Sequence, residues 1–467
     1  MTRKMLLILG LFICLSACSL APKYTRPKAP IPDKWPQGDV YKKAGVHPGT
    51  STAVELRWDK FFIHKNLQEI IKTALSNNRD LRLAALNVEK ARALYGVQRA
   101  ELYPVVDATA SRSKQHMPDI YGFGRGLTLK QYRVDMGISS WEIDFFGRIR
   151  SLKKKALEEY FATDQARRSA QISLISEVAR VYLTLAADRE NLKLSQSTLK
   201  TQQGIYNLIR RQYKVGVANE LDLSRAQTQV DTARGDVAYY MRLVAQDQNA
   251  LNLLAGSPVP ENLLPADLKS ITPPKDISPG LSSKVLLRRP DIMEAEHRLK
   301  AAYAYIGAAR AAFFPRISLT TSVGTASDEL SGLFSPGSKA WQFVSQVAMP
   351  IFDARTWAAY RVSKAERKIA LTQYEKTIQV AFREVADTLA VRGTVDEQLA
   401  AEQSLVDALA KTYRLSTERY HNGIDSYLSV LDAQRSRYAA QQRLTSLYLA
   451  RLANQVSLYA VLGGGGE

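Results

Sequence analysis

The stretch "YKVGVANELDLSRAQ", residues 213–227, returns as "YHNGIDSYLSVLDAQ", residues 420–434. Tyr213, Gly216, Leu221, Ala226 and Gln227 are answered by Tyr420, Gly423, Leu428, Ala433 and Gln434 at an offset of 207. Leu251 and Gly256 match Leu458 and Gly463 at the same offset. Upstream, Asp80, Gly96, Arg99 and Pro104 recur as Asp291, Gly307, Arg310 and Pro315 at an offset of 211, so a small indel separates the two matched blocks. Self-similarity this long is not a solenoid repeat; it marks one structural unit that was duplicated and packs against its own copy. The repeats are read as residues 61–256 and 281–463, with a proline-rich linker over 257–280 that lies outside the regular elements.

Each quoted stretch opens on a chain reversal, Val215-Gly216-Val217 in one copy and Asn422-Gly423-Ile424 in the other, where glycine permits the turn. No glycine or proline occurs over residues 148–203, 351–392 or 424–462. At 1.5 Å rise per residue the first of these runs alone reaches roughly 80 Å as a helix. In the last run Ile424, Leu428, Leu431, Tyr438, Thr445, Tyr448, Leu452, Val456 and Tyr459 mostly follow steps of three, four or seven. That is the spacing of coiled-coil packing.

Ahead of each helical run the period falls to two. Tyr132, Val134, Met136 and Ile138 alternate with Arg133, Asp135 and Gly137, which predicts a strand over 131–138 to pair with one over 105–112. The phase flips near Ser139 and Ser140, because Trp141, Ile143 and Phe145 fall on odd positions, as a bulge would require. In the second copy the runs are Ile317, Leu319, Thr321 and Val323, then Trp341, Phe343, Val347, Met349 and Ile351. Strands of about ten residues cross a bilayer when tilted; periodicity alone fits a soluble hairpin equally well. Each unit is thus two strands and one long helical hairpin, a mainly α fold with membrane β. Four strands cannot close a membrane barrel, since about eight is the smallest number that does, and lipid tolerates no open edge. If the strands insert, the chain is an oligomer whose helices prolong the barrel as a tube.

The first residues set the compartment. Arg3 and Lys4 precede an apolar run from Met5 to Leu15 that is too short to span a membrane, so residues 1–17 read as a secretory signal. It ends Leu15-Ser16-Ala17-Cys18, which is similar to the bacterial lipobox. That likeness implies cleavage before Cys18, acylation of its thiol and, with Ser19 next, sorting to the outer membrane. Residues 18–60 then form a lipidated tether, kept extended by five prolines between Pro22 and Pro36. Residues 464–467 are read as a flexible tail. Cys14 leaves with the signal, so no thiol pair remains for a disulfide, a thiolate metal site or cysteine catalysis.

The formal charge of +19 falls to +17 when Arg3 and Lys4 are removed. An exported chain does not meet nucleic acid, and runs such as Lys153-Lys154-Lys155 are solvated helix faces or contacts to anionic lipid. His47, His64, His116, His297 and His421 are scattered without ligand spacing, and no glycine-rich phosphate loop follows a strand. No enzyme activity, cofactor or metal is expected. Met117, Met136, Met241, Met293 and Met349 are dispersed, which favours organic toxicants over copper or silver as cargo.

Four motifs in order resemble the outer-membrane channel lipoproteins of the TolC family that serve tripartite RND efflux pumps. They are "CSLAPKYTRP" from Cys18, "WEIDFFGRIR" from Trp141, "LLRRPDIMEAEHRLKAAYAYIGAARAAFFPRISL" from Leu286 and "SYLSVLDAQRSRYAAQQ" from Ser426. The resemblance implies a homotrimer with a twelve-stranded barrel, an α-helical tunnel beneath it, an equatorial belt, and an outer-membrane location. It also implies passive transport, with an inner-membrane pump and a periplasmic adaptor opening the tunnel and supplying substrates. The adaptor would meet the hairpin tips at Gly216, Val217, Gly423 and Ile424.

The family closes its gate at those periplasmic tips. Leu428 and Asp432 are four apart and share a helix face. Pointed at a three-fold axis, three Leu428 side chains make an apolar constriction and three Asp432 carboxylates a repulsive negative ring. Arg435, three residues on, is placed to pair with Asp432. Tyr420, by the same resemblance, holds the tip shut through a hydrogen bond, with Asp222 as its expected partner. Two other readings compete. A lipid-anchored structural or adhesive coiled coil explains the helices and Cys18 but neither the strands nor the duplication; a protein-secretion duct of the same family generally lacks the acylated cysteine.

Overall fold

A computed structural model describes residues 20–44, 53, 56–118, 126–280 and 282–465. Cys18 and the signal segment lie outside the described residues. After a 3-10 helix at Asp39–Ala44 and a single α-helical turn at Trp58–Phe61 come two longer helices, α1 (Lys65–Asn77) and α2 (Arg79–Ala100). Asn78 separates them: its extended backbone ends the first, and its side-chain oxygen accepts from the Leu81 amide at 2.9 Å to cap the second. Strands β1 (Val106–Met117) and β2 (Leu127–Ile143) follow, then a hairpin of α3 (Arg148–Lys214) and α4 (Glu220–Ala255). The second repeat supplies α5 (Pro290–Ala311), β3 (Arg316–Ser327), β4 (Lys339–Ala348), α6 (Ala354–His421) and α7 (Tyr427–Val461). Each repeat therefore has a 22-residue helix, α2 or α5, ahead of its strands, which the expected two-strand-plus-hairpin unit omitted. Neither helix carries a pronounced apolar stripe, so periodicity did not mark them.

Helices α3 and α6, of 67 and 68 residues, run on through Gly204 and Gly393. Gly393 is there for space: a Cβ would sit 1.8 Å from the Val40 carbonyl oxygen of the N-terminal segment crossing it.

The strands form one antiparallel sheet in the order β1-β2-β3-β4, with Val106 opposite Ile138, Tyr132 opposite Ser327 and Arg316 opposite Ala348. The β2–β3 register shifts between Ile138 and Trp141, where Ser140 takes a φ of 52°, the bulge that the phase flip predicts. The strands are 12, 17, 12 and 10 residues long, mostly longer than the alternating runs. Met349 and Ile351 fall beyond β4, a correction to the run assigned there. Trp341, Phe343 and Val347 lie exposed on β4, and β1 and β4 are left as edges.

The chain forms two compact units, and neither is a repeat. Among the described residues, one comprises those up to Lys28 together with those within Asn87–Thr163 and Glu294–Tyr374, and so holds the strands of both repeats. The other comprises Ala29–Leu86, Asp164–Met293 and Glu375–Glu467, and holds most of both long hairpins. Within the second unit Phe61, Phe62, Ile70, Ile71, Ile175, Tyr182 and Tyr459 are fully buried, with Phe61 stacked on Tyr459 at 4.0 Å. The Tyr459 hydroxyl donates to the Leu56 carbonyl at 2.6 Å.

The N-terminal segment lacks regular structure as far as Gln37, as its prolines predict, yet it is fastened along its length. In the first unit the buried Glu296 carboxylate accepts from Tyr24, from the Arg26 guanidinium and from Lys300. In the second, the Trp35 indole donates to the Gly280 carbonyl at 3.1 Å and stacks on Phe382. The linker expected to be irregular contains two short helical turns, Glu261–Leu263 and Leu268–Ser270. Gly464 and Gly465 are buried, and Gln171 donates to the Gly465 carbonyl at 3.1 Å. Up to residue 465, the expected flexible tail is packed.

Candidate functional site at the hairpin ends

Both hairpins reverse through the same backbone geometry. At the first, Gly216 takes a φ of 77°, its amide bonds to the Tyr213 carbonyl, and the Val217 amide reaches back to Gln212 at 2.9 Å. At the second, Gly423 takes a φ of 70°, its amide bonds to Tyr420, and the Ile424 amide reaches Arg419 at 2.9 Å. Left-handed glycine with paired back-bonds closes the last helical carbonyls, so the turn glycines legible in the sequence have a local physical cause. Val217 and Ile424 follow the two turn glycines and are exposed.

Behind the turns the four helices share one apolar cluster. Ile209 of α3, Ala226 of α4 and Tyr427, Val430 and Leu431 of α7 are buried in it, and Tyr206, Leu223, Tyr413 and Tyr420 pack around them. Tyr420 lies 5.5 Å from the Tyr427 ring. The Tyr427 hydroxyl is buried without a hydrogen-bond partner among the described residues. Burial, with Tyr420, Tyr413 and Asp222 nearby, pushes it far above the usual phenol range.

The predicted gate residues divide between this cluster and its surface. Leu428 and Asp432 share an exposed face of α7, as their spacing requires, and lie outside the apolar cluster. Arg435 does not pair with Asp432. Its guanidinium donates to Gln229 of α4 at 3.1 Å, tying the two hairpins together, because the neighbouring helix offers an acceptor within reach. Tyr420 makes no hydrogen bond to Asp222. The carboxylate is close enough to add to the burial that raises the Tyr420 hydroxyl above its ordinary value, but its nearest cation is Arg225 at 3.8 Å. Asp222 also occupies the third position after Asn219, whose side chain caps α4 by accepting the Asp222 amide at 2.8 Å. The acid thus sits in the first turn, where the helix dipole favours it.

Several residues escaped the sequence reading. Arg419 closes the second turn with a two-pronged bond to Asp425, at 2.6 and 2.9 Å, which holds the Asp425 carboxyl below its usual range. The two residues flank Gly423, and opposite charges six apart around a glycine were the available signal. Deeper along the hairpins Ser195 meets the Tyr438 hydroxyl at 2.8 Å, and Gln442 donates to the Tyr240 hydroxyl at 2.9 Å. Asp188 of α3 and Asp247 of α4 are close enough to interact, Asp247 Oδ2 is buried without a hydrogen-bond partner among the described residues, and burial, reinforced by Asp188, pushes Asp247 up to about 7. Residues 59 positions apart gave no pattern for finding that pair.

Long paired hairpins, together with a four-stranded sheet bearing exposed aromatic and aliphatic side chains, define the class of outer-membrane channels. The chain belongs to the outer membrane efflux protein family, whose model matches residues 70–257 and 281–464. It is 47% identical over 470 aligned residues to the toluene efflux pump outer membrane protein TtgC of Pseudomonas putida, covering all of this chain and 96% of that one. It is 37% identical to the probable outer membrane lipoprotein SilC of Salmonella typhimurium, over 99% of this chain and 98% of that one. Among solved structures it is similar to the open state of the Neisseria gonorrhoeae MtrE outer membrane channel, with a TM-score of 0.85, 37% identity and coverage of 96% and 99%.

Proposed function

We propose that the chain is the outer-membrane duct of a tripartite RND-type efflux pump, passing small organic toxicants from a periplasmic assembly to the exterior without chemistry of its own. The observation that supports this most is likeness over the whole length: the match to TtgC covers all of the chain, and that relative is named for toluene efflux. The functional unit is a homotrimer. Three four-stranded sheets give twelve strands, which removes the edges left at β1 and β4. Cys18 is the acylated anchor, and such a chain adds about 0.8 kcal/mol per methylene buried in the membrane. An adaptor engages the tips at Gly216, Val217, Gly423 and Ile424, and an inner-membrane pump supplies the energy.

The resting gate is the exposed α7 face turned to the three-fold axis, with Leu428 as the constriction and Asp432 as the negative ring. Tyr420 contributes by packing on Tyr427, and Arg435 by anchoring α7 to α4 through Gln229. Asp222 serves as the acidic neighbour of the tyrosines. The test is export in cells: deleting the chain in its host should raise sensitivity to solvents and hydrophobic antibiotics together with dye retention, and plasmid-borne chain should restore both. Unchanged sensitivity and retention in the deletion strain would defeat the reading.

A further inference from the structure

One side of the β1–β2 ladder changes character part-way along. Directly opposed residues of antiparallel strands leave the sheet on the same side, and the pairs Val106–Ile138, Ala108–Met136 and Ala110–Val134 place only apolar side chains there. Beyond the bulge, toward α3, that side continues as Trp141 and Ile143, opposite Leu319 and Ile317 of β3. In the other direction the next rows are Arg112–Tyr132, Lys114–Lys130 and His116–Thr128. The apolar side thus turns cationic without leaving the sheet.

Lys114 and Lys130 stand opposite one another, both exposed, with Arg112 two residues along on the same side. With Cβ atoms about 5 Å apart, like charges so placed destabilise a ladder. The strands supply nothing to offset them: their acidic residues, Asp107, Asp135 and Glu142, all leave on the other side. None of the three cations has an ion pair among the described residues. The arginine of the other side is provided for, since Arg133 is paired with Asp135 and donates to Ser322 of β3 at 3.0 Å. Arg112 instead lies 5.4 Å over the Tyr132 ring, a contact that steadies the guanidinium and leaves its N–H donors available.

The cationic rows adjoin the turn between the strands, the end remote from the helices, because β1 begins after α2 ends at Ala100 and β2 leads on to α3 at Arg148. From Ile143 to Val134 the apolar side runs about 30 Å at roughly 3.4 Å per residue. At the tilt of a membrane barrel strand, roughly 35–45°, that is about 23 Å along the membrane normal, close to the ~25 Å apolar band of such barrels. Tyr132 then falls where the band ends and an aromatic girdle belongs. Lys114 and Lys130 come just beyond it, at the level of lipid head groups. With the helices on the periplasmic side, those head groups belong to the outer leaflet.

We propose that Arg112, Lys114 and Lys130 bind the phosphate of a phosphorylated, acylated glycolipid in the outer leaflet, with its acyl chains lying along Ala110 and Val134. A phosphate seated between Lys114 and Lys130 replaces their repulsion by two charge-assisted contacts, and Arg112 adds a third from the neighbouring row. The occupant is a lipid and not free phosphate because the cationic rows run directly into the apolar ones. One molecule with an anionic head and long tails satisfies both. The inference goes beyond export, adding a lipid site on the outer wall of the duct, and rests on the outer-membrane orientation proposed above.

The test uses the full chain purified from outer membranes and stripped of lipid by detergent exchange, with native mass spectrometry reading bound lipid. Wild type should bind bisphosphorylated lipid A at least tenfold more tightly than lipid A freed of both phosphates. R112Q/K114Q/K130Q should lose that preference and K114R/K130R keep it, while R210Q/R211Q/K214Q, which removes as much charge at the end of α3, should bind as wild type does. A wild type indifferent to the phosphates, or a triple variant that still prefers them, overturns the site. Equal binding of phosphatidylglycerol would reveal an unselective basic surface, and displacement by an equal concentration of inorganic phosphate would show that no lipid is required; either result overturns the proposal. Should the triple variant fail to reach the membrane, melting of Lys130→Gln decides. Without lipid it should melt above wild type, since the repulsion is gone, and with lipid A below it; an order that lipid A does not change counts against the site. Wild type missing from the outer-membrane fraction would sink the duct reading and the site together, whereas wild type present there and blind to phosphate sinks the site alone.

Discussion

The two hairpin ends share a backbone and differ in what ties them. Both use a left-handed glycine with the same pair of back-bonds. At the first end the work falls on Asn219, which caps α4; the equivalent Ser426 makes no side-chain cap bond. At the second end a ring, Tyr427, is buried in the shared cluster where the first has the exposed Glu220, and Arg419 is bonded to Asp425 where the first has Gln212 and Ala218. Even the proposed gate position changes sign, since Asp432 corresponds to Arg225. Duplication fixed the turn, and the two ends then diverged in their side-chain ties, a helix cap at the first and a buried ring with an ion pair at the second. The second hairpin is accordingly the one to which gating is assigned.

The comparison is tested most severely by removing the buried ring. Tyr427→Ala should cost about 3–5 kcal/mol of local stability, the usual scale for losing a buried aromatic side chain, read as faster amide exchange in the first turns of α7. Glu220→Ala at the equivalent position should leave exchange in α4 nearly unchanged; equal effects at both ends would erase the asymmetry.

A second contrast lies deeper. The first hairpin holds the Asp188–Asp247 pair where the second has Val395 and Asn454, so pH should act on one hairpin only. Asp247 binds its proton more tightly folded than unfolded. The stability this supplies is complete below about pH 4, where an unfolded aspartate also titrates, and is lost as pH rises through about 7. Protection of the α3 and α4 amides, corrected for intrinsic exchange, should therefore fall as pH rises from about 4 through about 7, and Asp247→Asn should flatten that response; a flat wild-type profile would contradict the raised Asp247 carboxyl.

Asn219→Ala should cost about 1 kcal/mol through loss of the cap, with Ser426→Ala costing clearly less; thermal melting of the two variants decides it. The smallest effect is expected from Arg419→Gln. The Arg419–Asp425 bond is exposed, where ion pairs add little, so melting should not move resolvably.

Sequence legibility followed the physics of each element. Turn glycines, the strand bulge at Ser140 and the long helices were readable because each is set by local backbone requirements or by periodicity over a single element. Helices α2 and α5 were not, because their apolar residues lack a single stripe. Arg435 was misassigned to Asp432 because helical spacing reveals neighbours on one helix and says nothing of Gln229 on another. The same limit hid the Asp188–Asp247 pair and Glu296, whose partners Tyr24 and Arg26 lie some 270 residues away. The glycine-rich end looked loose by composition, yet Gly464 packs so closely on Tyr459 that a Cβ would lie 2.3 Å from the ring.

The central claim is a closed duct with its lock on the second hairpin, and planar-bilayer conductance of the purified oligomer tests it most directly. Wild-type protein should show small, gated openings. Asp432→Ala should raise the conductance by relaxing the ring at the axis, and Leu428→Ala should raise it by widening the constriction, while Arg225→Ala on the first hairpin should leave it unchanged. Identical conductance in wild type, Asp432→Ala and Leu428→Ala would contradict the account.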